Sequence, residues 1–284
     1  MSFYQRLALL LCGLVTAGTF GFSGSAAADP PVAWQWDLNK PATDLMREIV
    51  SFHNALLIVI TLISLFVLVL LVYVFIKFNA KANPKASKTT HNTVIEVLWT
   101  VIPVVILVAI TASSFRLLYH QDVVPKQTDM TIKAIGKQWY WSYEYPDHGN
   151  FTFDALMVPD KELKPGQPRL LQTDNVVVVP VNATVKVLIT AADVIHAWTV
   201  PSFGVKADAV PGRTQERWFK ADREGTFYGQ CSELCGVNHG FMPITVEVVS
   251  KQKFDAWVTE ARRKFARDDQ APPRQVAEIA QPSN

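Results

Sequence analysis

The sequence predicts a two-helix transmembrane hairpin followed by an all-β sandwich or barrel. Three observations carry that expectation. Two long stretches without charge lie in the first 118 residues, short strand-like segments follow one another from 130 to 249, and a helical periodicity comes just after them.

Taken in order, residues 1–28 place Arg6 ahead of the apolar run 7–15 and end on small residues, Ser25-Ala26-Ala27-Ala28. That is the layout of a cleavable secretory signal, with cleavage expected near Ala28. An uncleaved first span is the less favoured alternative, because glycines and serines crowd residues 13–25. Cys12 leaves with the signal. A lipoprotein role for it is discounted, since Leu11 stands where a small residue is required.

In the next segment, 29–118, Ala55–Ile76 is 22 residues without a charge and Val97–Phe115 is 19 more. Each matches the ~20 apolar residues needed to cross a bilayer core, so spans are expected over about 53–76 and 96–116. Apolar on every face and bounded by Lys77, Glu96 and Arg116, they are poor candidates for buried helices of a soluble protein. The connection between them holds Lys77, Lys81, Lys85 and Lys88 and no acid, whereas residues 29–51 hold two basic and four acidic residues. The positive-inside bias puts the turn in the cytoplasm, and the N-terminus and the C-terminal domain on the periplasmic side of an inner membrane. Pro103 is expected to kink the second span.

Residues 119–250 read as antiparallel β structure, with strands at 130–135, 138–145, 175–180, 184–190, 194–200, 214–220, 225–230 and 243–249. Phe254, Trp257, Val258, Ala261 and Phe265 then recur at helical spacing, so 251–266 is read as a helix and the rest, to 284, as a disordered tail. The formal charge is +2, and the 119–250 block, with 12 basic and 15 acidic residues, is mildly acidic. Nothing here suggests a nucleic-acid binder. Three cysteines exclude a disulfide-rich scaffold.

The chemistry is concentrated between Cys231 and Met242, which reads Cys-Ser-Glu-Leu-Cys-Gly-Val-Asn-His-Gly-Phe-Met. Cys231, Cys235, His239 and Met242 form a thiolate, imidazole and thioether set that favours copper over magnesium or calcium. Structural zinc rarely recruits methionine. A bare CxxxC in an exported domain would equally suit a disulfide, but the histidine and methionine at short intervals favour the metal. Two thiolates can bridge two metals, and a second histidine is then wanted. His196, in an apolar strand of Asp-Val-Ile-His-Ala-Trp-Thr-Val-Pro, is the best candidate, although alone it would read as an ordinary core residue. Trp139, Trp141, Tyr143 and Tyr145 alternate as core residues of a strand would; this reading makes Trp141 core and leaves Trp139 open. Glu96, at the start of the second span, suits either a helix-end acid or a proton-collecting group.

The Cys231–Met242 loop resembles the binuclear copper A motif of the cytochrome c oxidase subunit II family. The family's other signatures follow in order: Glu-Val-Leu-Trp-Thr-Val-Ile-Pro at 96–103, Gln138-Trp-Tyr-Trp-Ser-Tyr-Glu-Tyr145, Asp193-Val-Ile-His196 and Val210-Pro-Gly-Arg213. The resemblance runs from about residue 32 to 260. It implies a cupredoxin-like Greek-key domain in which Cys231 and Cys235 bridge two coppers. His196 and His239 would be terminal ligands, Met242 a weak ligand, and Glu233 a ligand through its backbone carbonyl. The Glu233 side chain would serve a magnesium or manganese site shared with subunit I. The resemblance further implies Trp139 as the point where electrons arrive from cytochrome c, and Glu96 as the entrance of a proton pathway. Glu144, Asp147, Asp174 and Asp193 become docking acids for that cytochrome; Lys137, where many relatives carry histidine, weakens the electrostatic match. Subunits I and III and membrane lipid are the other implied partners. Quinol oxidase subunits lack the copper ligands, all present here. No Cys-x-x-Cys-His occurs, so no haem c domain is expected. A membrane-tethered copper chaperone or thiol redox protein would not need His239 or Met242, and nitrous oxide reductase should carry a large propeller and no hairpin of spans.

Overall fold

The computed structural model describes residues 28–265. The expected signal segment with Cys12, and the tail beyond 265, lie outside them. A two-residue strand β1 (Ala28–Asp29) leads to the helices α1 (Asp44–Lys77) and α2 (Thr93–Asp122). Among the described residues ten further strands follow, with β2 (Met130–Lys137), β3 (Tyr140–Tyr145), β4 (Phe151–Ala155), β5 (Val177–Pro180) and β6 (Thr184–Ala191) forming the first part of the domain. β7 (His196–Val200), β8 (Val205–Ala209), β9 (Gln215–Lys220), β10 (Gly225–Gln230) and β11 (Pro243–Val249) follow, and α3 (Lys251–Lys264) closes it.

Both long helices start on side-chain caps: Thr43 accepts from Met46 N, and Asn92 from Val94 N and Ile95 N. Their central surfaces are apolar and exposed all round, as lipid or neighbouring helices require. They outrun the spans read from hydropathy. At 34 residues α1 is about 51 Å long, against a hydrocarbon core of about 30 Å. The surplus is amphiphilic and docks on the β domain. Leu45 and Met46 are buried, Thr43 Oγ1 donates to Phe203 O (2.9 Å), and Arg47 pairs with Asp222 (2.5 Å). Glu48 meets His120 of α2 at 2.9 Å, and Trp218 Nε1 donates to the carbonyl of His120. α2 runs unbroken through Pro103.

The domain is a sandwich of a five-stranded sheet, order β4-β3-β2-β6-β9, and a four-stranded sheet, β1-β10-β11-β5, with the β7-β8 ribbon beside them. The pairing is mixed, correcting the antiparallel expectation: β2–β6, β5–β11 and β1–β10 are parallel. In each case the intervening chain passes through other strands or helices, so the partners enter from the same end. Trp141, Tyr143 and Tyr145 fill the space between the sheets, and the Tyr145 hydroxyl both donates to Val178 O and accepts from Val178 N at 3.0 Å, tying the two sheets. α3 buries Phe254, Val258 and Ala261 against that core.

Candidate metal centre

β10 and β11 are an antiparallel pair whose register ends at Gln230 opposite Pro243. The Cys231–Met242 segment is therefore the connection of a hairpin, and both its ends are fixed by the sheet. Ser232 N donates to Ala197 O (3.2 Å), holding the loop against β7, whose first residue is His196. At Gly229 the β10 backbone lies directly on the Thr199 carbonyl, where no Cβ could fit. That contact sets how closely β7 approaches the loop.

Three ligand atoms, from His196, Cys231 and Cys235, lie within 4.8 Å of one another, all on buried residues. His196 Nδ1 faces Cys231 Sγ at 3.9 Å, and Cys235 Sγ lies 3.5 Å from both His239 Nδ1 and Met242 Sδ. Glu233 turns its carbonyl to Cys231 Sγ at 3.3 Å while its side chain is exposed. The two sulfurs are 3.8 Å apart, far beyond the ~2.05 Å of a disulfide. Two free thiols with an imidazole beside Cys231 and an imidazole and a thioether beside Cys235 fit a soft metal.

Electrostatics point the same way. Burial pushes both thiols up, because a thiolate loses hydration inside the fold. At Cys231 hydrogen bonding from His196 and the neighbouring backbone outweighs burial and leaves the thiol below its ordinary value. At Cys235 burial, reinforced by the charge of Cys231, holds the thiol above it. Holding both as thiolates therefore calls for positive charge at the site.

The structure also supplies parts that the sequence reading missed. Asp193, assigned to docking, accepts from Gln138 N (2.7 Å), Val194 N (2.6 Å) and His196 Nε2 (2.9 Å). The carboxylate thereby fixes the His196 ring with Nδ1 turned to the thiols, the arrangement usual behind metal-binding histidines. Despite burial, Asp193 stays below the ordinary carboxylate range because of these donors, and His196 is raised by Cys231 and Asp193 against burial. Gly136 is the floor under that ring: a Cβ there would stand 2.8 Å from His196 Cδ2. The available signals were a carboxylate three residues before the histidine and a glycine inside an Ala-Ile strand.

Trp139 is not a strand residue. β2 ends at Lys137 and β3 begins at Tyr140, so Trp139 sits in the hairpin turn, half-buried, with Nε1 donating to Cys235 O (3.1 Å). Gln138 Nε2 donates to the same carbonyl at 2.9 Å. Glu144 pairs with Lys133 (3.1 Å) about 14 Å along β3 from that turn. Asp147 accepts from Thr131 N, and Asp174 from Leu156 N and Asn175 N. Of the four acids, Asp193 alone is bonded to the metal-site residues. Glu96 accepts from Asn92 N (3.1 Å), closing the first turn of α2 as a cap.

The family model described as cytochrome c oxidase subunit II, periplasmic domain, matches residues 130–249, and the corresponding transmembrane domain matches 31–117. The chain belongs to the cytochrome c oxidase subunit II family. A probable cytochrome c oxidase subunit 2 of Rickettsia bellii is 51% identical over 264 residues, covering 93% of this chain and 96% of that one. Cytochrome c oxidase subunit 2 of Arabidopsis thaliana is 46% identical over 84% of this chain and 93% of its own. The crystal structure of the periplasmic domain of subunit II from Bradyrhizobium japonicum is 59% identical, covers 50% of this chain and 99% of that one, and superposes with a TM-score of 0.48. The protein is thus a subunit of cytochrome c oxidase, with two transmembrane helices and a cupredoxin-like domain. The family bears the copper A centre, and this chain carries the His and two Cys cluster.

Proposed function

We propose that this subunit accepts electrons from a c-type cytochrome at a binuclear copper A centre on the periplasmic side of an inner membrane. It then passes them to the haem and copper centres of subunit I, where oxygen is reduced to water with proton pumping. Subunit III and lipid complete its surroundings. The observation that carries this reading is the convergence of Cys231, Cys235, His239 and Met242 with His196 around a pair of unbonded thiols.

On this reading Cys231, Cys235, His196 and His239 would hold the copper, with Met242 as a weaker ligand and the Glu233 carbonyl completing the set. Copper bound there would supply reversible one-electron storage. The chain's own part is to hold those ligands still, with Asp193 orienting His196 and the β10–β11 register fixing the loop ends. The Trp139 indole, bonded to the carbonyl of a bridging cysteine and partly open to solvent, is the point where electrons arrive. The exposed Glu233 carboxylate is free to serve a magnesium or manganese ion shared with subunit I. Glu144, Asp147 and Asp174 supply diffuse negative charge for docking, and Glu96 is assigned to the proton pathway on family resemblance, beside its capping bond.

Stopped-flow mixing of the assembled oxidase with reduced cytochrome c tests the reading. Trp139→Phe should slow copper reduction at least about tenfold, with cytochrome affinity little changed. An unaltered rate removes Trp139 from the path.

A further inference from the structure

Residues 30–41 form an excursion outside the domain core. The chain leaves the β domain at Asp29, held by β10 and by Arg223 (2.5 Å), and returns at Ala42, whose amide donates to Ser202 O. Between these points Asp37 Oδ1 comes within 3.8 Å of His53 Nε2. His53 lies nine residues after Asp44, about 14 Å down α1. The charge-free stretch begins at Ala55, and the first exposed large apolar side chain on α1, Leu57 at 41%, is one turn below His53. The loop at Asp37 therefore stands level with the start of the charge-free stretch of α1.

At that level the loop presents apolar side chains outward. Trp36 is 100% exposed, Trp34 92% and Val32 67%. The loop is organised from within by Gln35, whose side chain accepts from Val32 N and donates to Asp37 O (2.7 Å). These bonds tie Val32, Gln35 and Asp37 together while the two indoles stand open to solvent. Exposed tryptophans on this scale demand a partner, and the indole, an apolar body with one N–H, suits the boundary between headgroups and acyl chains.

We propose that residues 32–38 are an interfacial anchor that lays Trp34 and Trp36 into the headgroup layer of the leaflet on the β-domain side. The occupant is lipid. The anchor holds the long periplasmic overhang of α1, and the domain bolted to it, at a set height above the membrane.

The test uses the assembled oxidase in liposomes, comparing wild type with W34F/W36F. Both indoles lie outside the core, so the variant should keep the copper absorption of the wild type. The emission lost in the variant should be quenched by lipids brominated near the headgroup at least about twofold more than by deep-brominated lipids or aqueous iodide. Quenching by iodide alone would mean a loop in water, and insensitivity to all three would mean a covering polypeptide such as another subunit. Either result overturns the proposal.

Discussion

The candidate metal centre has two halves built on different principles. His196 and Cys231 sit at strand ends, at the start of β7 and just past β10, and are held by the sheet, by Asp193 and by the backbone contact at Gly229. Cys235 and His239 come from the middle of a loop whose own hydrogen bonds are few, with Met242 at its far end beside β11: Gln138 and Trp139 reach the Cys235 carbonyl from another hairpin, and a short 3-10 turn spans His239–Phe241. The first half is preorganised by long-range structure. The second gains its order from two clamping side chains and from whatever the ligands bind.

If that division is right, substitutions should sort by half. The largest effect is expected from Cys231→Ser or Cys235→Ser, either of which should abolish the binuclear centre, read as lost copper content and lost visible absorption. Asp193→Asn keeps an acceptor but loses the charge behind His196; copper affinity should fall about 10- to 100-fold, measured by competition with a chelator. Gly136→Ala forces a methyl against the same ring and should cost about 1–3 kcal/mol of stability, measured by thermal unfolding of the copper-free form. Gly236→Ala acts on the loop half alone. There φ is +117° and a Cβ would lie 3.1 Å from Trp139, so about 1 kcal/mol is expected, with a change in Trp139 fluorescence and little effect on His196. Equal responses of both halves to Gly136→Ala would erase the distinction.

A pH dependence follows from the thiols. The raised Cys235 thiol keeps its proton at neutral pH in the metal-free form, and copper binding must displace it. Copper affinity should thus climb with pH through the neutral range and fall as the solution is acidified, with protons released on loading, detectable in weakly buffered solution.

Most of this site was legible because its chemistry is local: four side-chain donors within twelve residues read as a metal loop without any fold. What escaped was what depends on the third dimension. Trp139 continues the alternation of Trp141, Tyr143 and Tyr145, so periodicity extended the strand by two residues, whereas the chain turns there and puts the indole on the Cys235 carbonyl. Asp193 looks like surface charge until His196 is seen to need a partner behind it. Among strands, β4 and β8 were missed because each carries an aspartate in a run of only five residues, and β1 because two residues have no period. The two spans were found from hydropathy, but their docked overhangs carry charge at Asp44, Arg47 and Glu48 and were invisible to that criterion.

The central claim is that two metals share the pair of cysteine sulfurs. Electron paramagnetic resonance of the oxidised, copper-loaded oxidase, with copper content determined separately, tests it most directly. The account predicts one unpaired electron coupled equally to two copper nuclei, lost in Cys235→Ser; a spectrum from a single copper at full loading would contradict it.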